Sequence, residues 1–163
     1  MRLLKRLLLG IAALALLVPL AGQLGAFGGT PPTDLGVRDG RLKPPSNTSN
    51  SVSSQAELWP QHPMQDEARI APLALQGSGP QTIAKLRHIV EAMPGAQVVQ
   101  SRDDYLYVQF TTRWMKFVDD AEFWFDPGAG VVQLRSASRV GRKDFGVNRA
   151  RIETIRQALA AGG

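Results

Sequence analysis

Polar and apolar residues divide the chain into three stretches of different character. From Leu7 to Phe27 there are 21 residues in which Gln23 is the only strongly polar side chain, and Arg2, Lys5 and Arg6 precede them. At about 1.5 Å of rise per residue such a helix reaches roughly 30 Å, the thickness of a hydrocarbon core. The stretch reads either as an uncleaved membrane anchor or as a signal peptide whose apolar region, Leu7 to Val18, ends at Pro19, with Ala26 and Gly28 as small residues for cleavage. Both readings carry the rest of the chain across a membrane. The basic tip keeps the N-terminus in the cytoplasm, so residues 28 onward face outward, into the periplasm of a bacterium with two membranes. The expected localisation is therefore the inner membrane, as a single span with a periplasmic domain, or export after cleavage.

Residues 28–66 show neither a helical nor a strand period. They contain Pro31, Pro32, Pro44, Pro45, Pro60 and Pro63 and a polar run from Ser46 to Ser54 interrupted only by Val52. Prolines remove backbone donors and short polar side chains compete for the backbone, which reads as a linker. Leu35, Val37, Leu42, Val52, Leu58 and Trp59 are spaced as occasional anchors, so part of the segment is expected to lie ordered against the domain that follows.

That domain is expected over residues 67–161. Ile70 to Leu75, broken by Pro72, suits an edge strand. Ser78 with Gln81 three residues on is a capping-box signature, and Ile83, Leu86, Ile89, Val90 and Met93 follow at helical spacing until Pro94 and Gly95. Strand patterns then run over 97–100, 105–111, 117–125 and 131–139, with a turn at Asp126 to Gly130. A second helix from about Asn148 carries Val147, Ile152, Ile155 and Leu159 as its buried stripe. The expected fold is α+β: an antiparallel sheet of four to five strands with two helices packed on one face, preceded by the membrane helix.

Composition narrows the choices. The 163 residues contain no cysteine, which excludes disulfides and thiolate metal sites. The formal net charge of +5 invites a nucleic-acid reading until it is divided along the chain. Three positive charges sit in the N-terminal tip, residues 28–132 hold nine basic and twelve acidic side chains, and residues 133–163 hold seven basic and two acidic. With the domain outside the cytoplasm and no aromatic platform among its arginines, nucleic acid is excluded as a partner.

Pairing Asp126 with Val131 places Phe125 opposite Val132, Phe123 opposite Leu134 and Ala121 opposite Ser136, which makes one face of this hairpin apolar. The other face then holds Glu122 opposite Arg135, with Asp120 diagonal to Arg135 and Arg139. A slip of one residue would mix charged and apolar side chains on both faces, so this register is favoured.

Phe117-Val-Asp-Asp-Ala-Glu-Phe123, Arg135-Ser-Ala-Ser-Arg-Val-Gly141, Asp144-Phe-Gly-Val-Asn-Arg149 and Arg151-Ile-Glu153 together resemble the bacterial and plastid domain-of-unknown-function family 1499. Asn50-Ser-Val-Ser-Ser-Gln-Ala56 and Ile70-Ala-Pro-Leu73 resemble earlier blocks of that family in the same order, so the likeness spans about residues 35–160. Many members carry a cysteine in each flank of the Pro/Asn/Ser block, where this chain has Pro45 or a neighbour and Ser51. Any disulfide or redox role that the resemblance would imply for those cysteines is closed to this chain. The family has no established activity, so the resemblance implies an architecture and a set of signature residues, not a reaction.

The candidate site residues are Asp119, Asp120, Glu122, Arg135, Ser136, Ser138, Arg139, Asp144, Asn148, Arg149 and Arg151. Three carboxylates suggest a divalent cation, but adjacent strand residues point to opposite faces and the arginines repel one, so neither a metal nor another cofactor is expected. An ion-pair network that pins the hairpin is the plainest reading of Asp120, Glu122, Arg135 and Arg139. In the arginine-rich segment, Asn148 as helix N-cap and several guanidinium groups could receive a phosphate, carboxylate or anionic lipid head group. The competing reading has Asp144 capping the loop and Arg149 or Arg151 pairing with Asp120 or Glu122. The functional expectation is a membrane-tethered binding or structural module of the cell envelope, with a shallow basic groove near Arg139, Arg149 and Arg151 for an anionic ligand, or with an envelope protein held through Trp59, Trp114, Met115 and Trp124. The alternative is an enzyme that uses Asp120 or Glu122 on an anionic substrate held by Arg135, Arg139 and Arg149.

Overall fold

The computed structural model describes residues 2–162. In chain order the elements are α1 (Arg2–Gln23), β1 (Ser51–Ser53), a 3-10 turn (Ala56–Leu58), α2 (Gln65–Ala68), β2 (Leu73–Ala74), α3 (Gly79–Glu91), β3 (Ala96–Ser101), β4 (Tyr105–Thr111), β5 (Val118–Asp126), β6 (Val131–Ser138) and α4 (Val147–Ala160).

α1 has 22 residues and an apolar window of mean hydropathy 2.1, long and apolar enough to span a membrane or to serve as a signal sequence. It runs through Pro19 and ends at Gln23, earlier than the apolar run suggested. Most of its leucines are exposed, but its last turn touches the domain. Gly22 is buried there, so close to the Met115 backbone that a Cβ at that position would lie 2.7 Å from its carbonyl oxygen. Gln23 Nε2 donates to the carbonyls of Arg113 at 3.1 Å and Trp114 at 2.7 Å. The Phe27 ring packs on Phe117 with centroids 5.3 Å apart.

The domain is α+β, with one antiparallel sheet in the order β1-β6-β5-β4-β3, and β2 also pairs with β6. Six strands replace the four or five expected. The extra one is β1, where a single valine between two serines carries no readable period. Its serines are buried and held by hydrogen bonds: Ser51 Oγ accepts from Ser46 N at 2.8 Å, and Ser53 Oγ accepts from Gln55 N at 3.2 Å. β1 and β2 share the β6 edge, β1 against Arg135 to Ala137 and β2 against Val131 and Val132. The β5–β6 register is the one alternation demanded, with Asp126 opposite Val131 and Glu122 opposite Arg135.

α3 begins with a complete capping box, Ser78 Oγ accepting from Gln81 N and Ser78 N donating to Gln81 Oε1 at 2.8 Å. Loss of such a cap costs about 1 kcal/mol. Ile83, Leu86 and Val90 from α3 and Ile152, Ile155 and Leu159 from α4 pack with Leu106, Val108, Phe110, Ala121, Phe123, Val132 and Leu134. Val147 does not belong to that stripe: it is the first residue of α4 and 48% exposed. The opposite face of the sheet is covered without a helix. Leu42, fully buried, packs on Tyr105 and Tyr107 with Leu35, Val37 and Trp124 around it, so the proline-rich segment forms a third layer.

Candidate functional site

Alternation along β5 sends its acidic residues to two places. Asp119 faces the helices and pairs with Arg151 of α4 at 2.6 Å, while the Arg151 guanidinium lies 4.5 Å from the Phe110 ring centroid. Arg151 thus does form an ion pair, but with Asp119 rather than with Asp120 or Glu122. Asp120 faces the segment layer and receives both Nε (2.8 Å) and Nη2 (2.7 Å) of Arg139, a bidentate pair that is almost wholly buried. Tyr107 Oη donates to the same carboxylate, and Gln109 Nε2 donates to Tyr107.

Glu122 and Arg135, opposite each other in the sheet, do not close the four-membered network expected of them. Glu122 Oε1 accepts from Tyr105 Oη at 2.7 Å and from Gly36 N at 2.7 Å, and Oε2 is buried without a partner among the described residues. Burial pushes this carboxyl above the usual glutamate range, although the Gly36 N–H, Tyr105 and Arg135 oppose the shift. Arg135 is only 5% exposed. Its Nε donates to the Pro44 carbonyl at 3.0 Å, while its two Nη nitrogens donate to no acceptor among the described residues. Burial lowers its pKa, and Glu122 and Asp120 offset part of that effect.

An open cleft of about 510 Å³ lies over this arginine, walled by Thr30 to Asp34 and by Lys43 and Ser46 and floored by Asp120, Arg135, Ala137 and Arg139. Lys43 pairs with Asp34 at 2.6 Å and Arg139 with Asp120. Arg135 therefore carries the charge in the cleft lining that no carboxylate of that lining neutralises. Glu122 lies outside the lining, and both oxygens of Asp120 are bonded to Arg139. The geometry suits an oxyanion received by a fixed guanidinium fork more than it suits acid/base chemistry by a carboxylate.

The helix-facing residues make a separate hub. Asn148, expected as an N-cap, is instead buried inside the first turn of α4, whose N-cap is Gly146. Its side chain bonds Ser136 Oγ, donates to Ser138 Oγ at 3.1 Å and Asn50 O at 3.3 Å, and reaches Asp144. Capping falls to Asp144, which accepts from the N–H groups of Gly146 at 3.0 Å and Asn148 at 2.9 Å. Burial alone would raise the Asp144 carboxyl, but these donors hold it below the usual aspartate range. Arg149 lies apart from both clusters and donates to the carbonyls of Glu67 and Arg69. Arg139 pairs with Asp120 on the segment side of the sheet, and Arg151 with Asp119 on the helix side.

Tyr105, Tyr107, Lys43 and the Gly36 and Pro44 backbone escaped the sequence-based reading. The two tyrosines stand at strand spacing on β4, Tyr105 opposite Trp124 and Tyr107 opposite Glu122, and each reaches its carboxylate on the diagonal. The backbone partners come from a segment with no period. Among the described residues no group of three or more His, Asp or Glu side chains is placed to hold a metal ion.

The fold and this cluster define an α+β domain with a two-sided sheet behind an apolar N-terminal helix, built around buried acidic and arginine residues. Residues 41–159 match the family model described as Protein of unknown function (DUF1499), and the chain belongs to that family. Searches of curated proteins and of solved structures gave no match.

Proposed function

We propose that the chain is a membrane-tethered domain on the outer side of the cytoplasmic membrane, a module of the cell envelope that binds a small anionic group in the cleft above Arg135. The observation that carries the binding reading is that one guanidinium: almost fully buried, fixed through Nε, and with both Nη nitrogens bonded to no acceptor among the described residues, in the floor of an open cleft. With its stem buried and its Nη edge open to the cleft, this guanidinium presents two parallel donors to an oxyanion in a surrounding that strengthens a charge-assisted hydrogen bond. Retention of α1 as the tether is supported by Gly22 and Gln23, whose contacts with residues 113–115 would be lost on cleavage near Ala26. The basic tip before α1 supports the outward orientation of the domain.

Thermal unfolding of the full chain in neutral detergent, with and without phosphate, citrate and galacturonate, tests the binding reading. Ligands that bind only the folded state raise the melting temperature with concentration. At least one should do so, Arg135→Met should abolish the rise, and Arg87→Met, at an exposed arginine of α3 outside the cleft, should preserve it. A flat response across the anions, or an equal rise in Arg135→Met, would sink the proposal.

A further inference from the structure

The end of the sheet next to α1 carries two loops, Thr112 to Phe117 before β5 and Arg139 to Gly146 after β6. Because β5 and β6 are antiparallel, both loops leave the same end of the sheet. The chain emerging from α1 touches both: Gln23 bonds the Arg113 and Trp114 carbonyls, and Gly29, at φ +66°, lies against the Arg139 Cβ and the Val140 side chain. The tips of these loops hold side chains that the domain does not bury. Trp114 is 65% exposed, with the Arg113 guanidinium 5.1 Å from its ring centroid, and Phe145 is 93% exposed on a backbone at φ +53°. Around them stand Arg113, Lys116, Arg142 and Lys143, against Asp144, which is engaged in capping α4. The opposite end of the sheet has the reverse sign, with Asp103 and Asp104 in the turn before β4 and Asp126 at the end of β5 against Arg102.

We infer that this end of the domain rests on the bilayer surface, with Trp114 and Phe145 entering the interfacial layer and the four basic side chains facing lipid phosphates. The inference rests on the reading of α1 as a retained span. A helix that ends at Gln23 brings its last turn to the membrane boundary, and the Gln23 bonds place Trp114 at the same level. Aromatic side chains favour that layer, and basic ones are drawn to anionic head groups. The turn closed by Asp144 holds Phe145 in the left-handed region and turns its ring outward, and an interfacial anchor accounts for a phenylalanine left 93% exposed.

The absence of cysteine allows single nitroxide labels. The full chain is reconstituted into vesicles containing phosphatidylglycerol, with one label each at Trp114→Cys, Phe145→Cys, Asp103→Cys or Leu14→Cys, and collisions with oxygen and with a water-soluble nickel chelate are compared. Circular dichroism and melting confirm that each variant is folded. The inference expects positions 114 and 145 to show an oxygen-to-nickel ratio several-fold above that of position 103, falling towards it in vesicles of phosphatidylcholine alone, with position 14 deepest in lipid. A label at 14 deep in lipid, with 114 or 145 as accessible to nickel as 103, overturns the surface inference and leaves the tether standing. A label at 14 outside the lipid overturns the tether and this inference with it.

Discussion

Asp119, Asp120 and Glu122 lie within four residues of one another, and each has a different electrostatic setting. Asp120 and Arg139 form the buried pair, and removing one partner of such a pair leaves an uncompensated charge that costs about 3–5 kcal/mol. Arg139→Met is therefore expected to destabilise the domain by that amount, and Asp120→Asn/Arg139→Met to recover a large part of it, as read from urea midpoints. Glu122 predicts a pH effect. Its folded-state pKa is raised, so the native protein holds this proton more tightly than the unfolded chain does. The resulting stability is complete below the ordinary glutamate pKa of about 4.3 and is lost as pH rises through the higher folded value. Glu122→Gln cannot ionise and should flatten that decline; parallel wild-type and variant melting curves between about pH 4 and pH 8 would refute this account.

At the level of elements, the Asn148 hub decides how α4 meets the sheet. One amide side chain joins the start of α4 to β6 through Ser136 and Ser138 and to the residue before β1 through the Asn50 carbonyl. Asn148→Ala should cost at least about 2 kcal/mol in chemical unfolding, since buried polar partners are left unsatisfied at about 1–3 kcal/mol each. A surface-like loss of a few tenths would show that the hub is dispensable. The same level explains which elements could be read in advance. α3 and α4 bury one face each, and the β5–β6 hairpin turns an apolar face to the helices and a polar one to the segment layer, so their periods of 3.6 and 2 appear in the chain. β1 and the Leu35 to Pro44 layer are held by backbone bonds, by single anchors such as Leu42 and by serine hydroxyls. None of these produces a period.

For the whole molecule, the question is how firmly α1 and the domain are joined. Gly22→Leu keeps α1 apolar but drives a side chain into the Met115 backbone, where even a Cβ would lie 2.7 Å from the carbonyl oxygen. The last turn of α1 should detach from the loop, and limited proteolysis of the full chain in detergent should cut between residues 24 and 34 faster than in the wild type. Unchanged cleavage would mean that the contact does not restrain the domain. The charge also acquires a spatial sense at this scale. The exposed arginine and lysine residues of the C-terminal excess stand in the loop beside the anchor, while Arg135, Arg139 and Arg151 are drawn into the interior.

By itself the sequence determined the membrane-competent helix, the α+β class, the capped α3 and the hairpin register, because each depends on residues near one another in the chain or on alternation across one turn. It also determined that Asp119 and Asp120 face opposite sides. Only the tertiary structure decided the partners of those charges. Arg151 could reach Asp119 only once α4 lay across the sheet, and Glu122, opposite Arg135 in the sheet, bonds Gly36 and Tyr105 through Oε1 while the Arg135 Nε bonds the Pro44 carbonyl. Pairing across 17 to 86 residues depends on where separate elements dock, and that is settled by burial of surfaces over the whole chain.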